Sequence, residues 1–68
     1  MWANRITLDF IQHTDARITA ANILIENGFT DEDIYELDIK TDSGYVYYKM
    51  ILNDGQTFCI LDDGDILT

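Results

Sequence analysis

The chain has no proline, one cysteine, one histidine and only four basic residues among 68. Without proline, nothing forbids continuous regular structure. A lone Cys59 excludes an internal disulfide, the staple that small secreted domains ordinarily need. One cysteine and one histidine are too few to hold zinc. Four bases supply no basic face, so direct nucleic-acid binding is not expected. No apolar run approaches the roughly 20 residues that span a bilayer. The opening Met1-Trp2-Ala3-Asn4-Arg5-Ile6 lacks the basic-then-apolar pattern of a secretory signal. These absences predict a cytoplasmic protein held together by its core alone.

What the chain does have is acid. Thirteen Asp and Glu give a formal net charge of −9, and 47% of the residues are apolar. A disordered acidic tail lacks that much apolar surface, so a folded chain is expected. Its length allows a single domain, residues 1–68, with little core from which to build a large enzyme cleft. The charge also repels anionic membrane surfaces, and it favours a monomer over a dimer.

Alternation of apolar and polar residues marks the strands. From Arg5 to Ile11, Ile6, Leu8 and Phe10 share one face, which predicts a half-buried first strand. Thr14 or Asp15 is placed to cap a helix beginning near Ala16 and running to about Asn27. In that helix Thr19, Asn22 and Glu26 form a narrow polar stripe, and apolar residues cover most of the rest. Gly28 followed by Phe29 suits a Schellman stop, with Phe29 packing back on Leu24. Thr30 opens an acidic turn, Asp31-Glu32-Asp33.

Three further strands follow. From Tyr35 to Thr41, Tyr35, Leu37 and Ile39 oppose Glu36, Asp38 and Lys40. After the turn Asp42-Ser43-Gly44, the span Tyr45 to Leu52 sets Val46, Tyr48, Met50 and Leu52 against Tyr45, Tyr47, Lys49 and Ile51. Asn53-Asp54-Gly55 is a hairpin signal, because Asp-Gly tolerates positive φ. Gln56 to Leu61 forms the next strand, and Ile66-Leu67 docks as a short end piece beyond the turn Asp62-Asp63-Gly64-Asp65. The fold class predicted is α+β, one helix packed on a mostly antiparallel four-stranded sheet in the order β-α-β-β-β.

No catalytic set emerges. His13 lies in a polar connection and reads as a solvated loop residue, and Cys59 reads as a half-buried strand filler. No nucleophile elbow surrounds Ser43 or Cys59. Calcium wants only oxygens, but neither acidic turn matches EF-hand spacing. No catalytic residue, cofactor or metal is expected. Of the four tyrosines, Tyr35 and Tyr48 are assigned to the core. Tyr45 and Tyr47 fall on the other sheet face, where they can anchor a protein partner.

The segment from Ile18 to Leu67, ending Asp54-Gly55-Gln56-Thr57-Phe58-Cys59-Ile60-Leu61-Asp62-Asp63-Gly64-Asp65-Ile66-Leu67, resembles a PepSY-type domain. Such domains place a helix before a meander and close on a strand, an acidic Gly turn and an apolar pair. The resemblance implies an interaction module that binds a peptide or itself through its sheet.

Eleven of the thirteen acids lie at or after Glu26, and six fall between Asp31 and Asp42. Dense negative surface steers toward positive surface, of which proteins that hold DNA or RNA present the most. Alternate residues on a strand lie about 6.6 Å apart, and two steps along one DNA strand about 6.8 Å. Glu36 and Asp38, flanked by acidic turns, can therefore imitate a row of phosphates. In size, acidity and lack of catalytic residues the chain resembles small phage proteins that mimic DNA, including anti-CRISPR proteins. That resemblance implies a non-enzymatic inhibitor that occludes the DNA-binding surface of a type I CRISPR surveillance complex inside the host bacterium. Its contact residues would be Asp31, Glu32, Asp33, Glu36, Asp38, Asp42, Asp62, Asp63 and Asp65, with Tyr45 and Tyr47.

Overall fold

A computed structural model describes residues 6–67. One helix, α1 (Thr14–Glu26), precedes four strands: β1 (Ile34–Asp42), β2 (Tyr45–Leu52), β3 (Thr57–Leu61) and β4 (Ile66–Leu67). The strands form one antiparallel sheet in the order β1-β2-β3-β4. The fold is therefore α+β, with a helix on a four-stranded antiparallel meander. Ile11, Ala16, Ala20, Ile23 and Leu24 pack against Ile34, Leu37, Tyr48, Met50, Leu52 and Ile60 to make the core.

The fourth strand is not where alternation placed it. Arg5, the expected start of a first strand, lies outside the described residues, as do Met1, Trp2, Ala3 and Asn4 of the opening segment read for a signal. Residues Leu8–Phe10 form a 3-10 turn instead, closed by bonds from Phe10 N–H to Thr7 C=O and from Ile11 N–H to Leu8 C=O, each 3.0 Å. A strand needs a partner edge, and this segment satisfies its own backbone locally. Ile11 is fully buried while Phe10 is 57% exposed. Ile66–Leu67 takes the fourth place by pairing with β3.

Helix α1 begins at Thr14, two residues before the expected start, with His13 at the N-cap and no side-chain cap. Arg17 donates to Ile11 C=O from Nε (3.2 Å) and Nη2 (2.8 Å), which ties the entering chain to the helix. The C-terminus is a Schellman stop. Phe29 N–H reaches Leu24 C=O at 2.8 Å, Gly28 N–H reaches Ile25 C=O at 3.1 Å, and Gly28 has φ +75°. The helix is less enclosed than its apolar content predicts. Only Ala16, Ala20, Ile23 and Leu24 are buried, and Ile18 and Ile25 face solvent. A sheet covers one side of a helix, and the small alanines let α1 lie close on that side.

His13 is not a solvated loop residue. It is half-buried, and its Nδ1 shares a hydrogen bond with the hydroxyl of Tyr48, the largest of the fully buried side chains. The same oxygen accepts the Gln12 N–H at 3.2 Å. The Tyr48 hydroxyl thus joins the helix N-cap residue and the chain that enters it.

A bulge at Tyr35 changes the phase of β1. Ile34 pairs with Leu52 and Glu36 with Ile51, which leaves Tyr35 as the extra residue. The core therefore receives Ile34 and Leu37, and Tyr35, expected inside, is 67% exposed. Ile39 stays on the core side of the sheet, opposite Tyr48, but in β1 at the sheet edge it is half exposed.

Gly64 closes the β3–β4 turn against the helix. Its C=O accepts the Thr19 hydroxyl at 2.6 Å. A Cβ at Gly64 would lie 3.0 Å from Asp15 O and 3.1 Å from Thr19 Oγ1, and φ is +95°. Both the backbone angle and the space require glycine. Gly64→Ala is expected to cost about 1–3 kcal/mol in urea unfolding. Gly44→Ala, at φ +85° with nothing within 4 Å, isolates the backbone share of that loss. Equal losses in the two variants would remove the packing part of this account.

Candidate functional site

The helix covers one sheet face and leaves the other open. Register places Glu36, Asp38, Lys40 and Asp42 of β1 on the open face, beside Ile51, Lys49, Tyr47 and Tyr45 of β2, and then Thr57, Cys59 and Leu61 of β3 with Leu67 of β4. Tyr45 and Tyr47 thus sit where alternation predicted. Tyr45 is exposed, and Tyr47 and Cys59 are half-buried. One side of this face is charged and the other aromatic and aliphatic.

The nine candidate acids do not form one surface. In an antiparallel meander the first and third turns share an end and the second lies opposite. The Asp62 N–H bonds Val46 C=O at 3.2 Å, so Asp62 and Asp63 stand beside the β1–β2 turn that carries Asp42. Asp65 C=O accepts the Leu61 N–H at 2.7 Å and completes that end. At the other end Asn53 N–H bonds Asp33 C=O at 2.8 Å, which brings Asp31, Glu32 and Asp33 beside the turn holding Asp54. β1 is nine residues long, so the two poles stand roughly 27 Å apart.

Between the poles the expected row of phosphate-like charges is broken. Asp38 lies 3.8 Å from the Lys40 ammonium and directly opposite Lys49. Glu36 is the remaining acid of that row before Asp42. Three of the acids also shape backbone. The Asp33 carboxylate accepts Thr30 N–H at 3.0 Å in a capping box. Asp63 accepts Asp65 N–H at 3.0 Å, and Asp54 accepts Gln56 N–H at 3.0 Å.

The backbone N–H of Gln56, and then its side-chain amide at 2.7 Å, hold the Asp54 carboxyl below the usual carboxylate range. A lowered folded-state pKa stabilises the fold at pH values above the unfolded pKa. That contribution is lost as pH falls through the folded value.

At the Asp42 pole the open face dips. A shallow depression of about 300 Å³ is lined by Asp42, Tyr45, Tyr47, Leu61 and Leu67. Tyr47 stands directly opposite Leu61, and Asp42 opposite Tyr45. Leu61 and Leu67 were not among the candidates read from sequence. Alternation from Phe58 and Ile60 already puts Leu61 on the open face, so a signal for it existed. Leu67 depended on β4 forming.

Among the described residues no group of three His, Cys, Asp or Glu side chains is arranged to hold a metal ion. No described helix is long and apolar enough to cross a membrane. No protein family model, curated protein or solved structure matches the chain.

Proposed function

We propose that the protein is a non-enzymatic acidic inhibitor that seats the Asp42 pole of its open sheet face on a basic, nucleic-acid-binding surface of another protein. The observation that carries this reading is the gathering of Asp42, Asp62, Asp63 and Asp65 at one end of the sheet, beside the exposed Tyr45 and the half-buried Tyr47. Interfaces that last combine desolvated aromatic anchors with a charged rim, and the rim sets partner choice and association rate. The contact is concentrated at one pole rather than spread along β1, because Lys40 and Lys49 neutralise the middle of that strand. A type I CRISPR surveillance complex supplies such a surface, since its bases hold the DNA backbone. This is the partner class in which an anti-CRISPR role would lie.

Competition tests the proposal. Increasing amounts of the protein are added to a purified type I surveillance complex bound to labelled duplex DNA, at low and at moderate salt. Displacement near one-to-one that weakens with salt is the expected result. Retention of the DNA at every ratio rejects this target.

A second reading follows from the free edge of β1. Among the described residues, its nine residues of strand have no neighbour on one side. A PepSY-like module would add a peptide strand there. Binding of that kind rests on backbone bonds and changes little with salt, which separates it from the first.

A further inference from the structure

The depression at the Asp42 pole has a chemistry that selects among basic partners. We infer that it receives an arginine side chain presented by the partner, an inference that rests on the proposed binding to a basic surface. Asp42 supplies a carboxylate at the wall. Among the described residues it forms no ion pair, and its one hydrogen bond is from the Ser43 hydroxyl at 3.3 Å. Lys40, the nearest base along β1, is turned to Asp38.

Tyr45 and Tyr47 rise from the same face, about 6.6 Å apart. A planar guanidinium can stack on a tyrosine ring and still direct N–H donors at a neighbouring carboxylate. Leu61 and Leu67 offer an aliphatic wall for the three-carbon stem. A lysine ammonium matches this less well, because it is a strongly hydrated point charge with no flat face to stack. A neutral apolar side chain would desolvate Asp42 without pairing it. A second copy of the chain would bring another net charge of −9 against the first. Charge complementarity therefore selects a cation.

The test uses the full chain and three blocked tripeptides, Gly-Arg-Gly, Gly-Lys-Gly and Gly-citrulline-Gly, followed by methyl, aromatic and backbone amide NMR. Citrulline keeps the shape of arginine and removes its charge. The arginine peptide is expected to saturate, with shifts centred on Tyr45, Tyr47, Leu61 and Leu67. Lysine should bind several-fold more weakly and citrulline about tenfold more weakly. Asp42→Asn and Tyr45→Ala should each weaken the arginine peptide by about fivefold.

Equal binding of citrulline overturns the inference. So do shifts that are as large at Asp31–Asp33, or concentration-dependent shifts at the same residues without peptide, which would mark a second copy as the occupant. The competition assay keeps the two ideas separate. Displacement of DNA with no arginine-peptide binding removes only the arginine site. Saturation by arginine without displacement keeps the site and removes the inhibitor role.

Discussion

Replacing Asp42, Asp62 and Asp65 together by lysine is expected to abolish displacement of DNA from the surveillance complex. The three reversals change the formal net charge from −9 to −3. All three residues are exposed, and none of their carboxylates holds a backbone turn. Their loss should leave unfolding within about 0.5 kcal/mol per site. Reversed charges facing a basic surface turn attraction into repulsion, so affinity should fall by about a hundredfold or more. Glu26, Asp31 and Glu36 serve as the matched control, with the same change to −3 placed toward the opposite end of the sheet. Displacement should largely survive in the control. If the two triple variants behave alike, net charge rather than the Asp42 pole governs binding, and the proposed seating is wrong.

Tyr48→Ala is expected to leave most of the protein unfolded in water at 25 °C. Tyr48 is 1% exposed at the centre of the sheet, and truncating a buried aromatic side chain costs about 3–5 kcal/mol. A core of this size, without an internal disulfide, supplies no more than about that much. The hydroxyl adds a separate term. Tyr48→Phe keeps the ring but leaves the Gln12 N–H and His13 Nδ1 without their shared partner, a loss of about 1–2 kcal/mol. Far-UV circular dichroism and urea unfolding read both variants. A Tyr48→Ala protein that loses less than about 1 kcal/mol would show that the core is organised elsewhere.

The meander was legible because β1, β2 and β3 carry alternation and each of its turns carries a glycine at positive φ. The helix stop was legible for the same reason, since Gly28-Phe29 encodes both the backbone angle and the hydrophobic contact. The N-terminal segment misled because Ile6, Leu8 and Phe10 satisfy the period of a strand. Period says nothing about whether a partner edge is free. The Tyr35 bulge was invisible in the pattern, since Tyr35-Leu37-Ile39 alternates as well as Ile34 and Leu37 pack. The tyrosine face of the site followed from alternation alone. The grouping of Asp42 with Asp62 and Asp63 needed the sheet order, although a simple meander already places those two turns at one end. The contact between His13 and Tyr48 joins residues 35 apart, and no local pattern encodes it.

The bond from Thr19 to Gly64 joins residues 45 apart in the chain. Closing a loop of that length carries an entropy cost that grows with the logarithm of its size. The two hairpins between these residues, and the third whose turn holds Gly64, close far shorter loops, so they can assemble before that contact exists. The helix then locks onto the last turn of an already formed sheet. A weakness introduced at this junction should leave the folding rate almost unchanged and raise the unfolding rate. In a chevron plot of Gly64→Ala the share of the loss that comes from the helix contact should appear on the unfolding limb, which makes this glycine a determinant of how long the native state persists once formed.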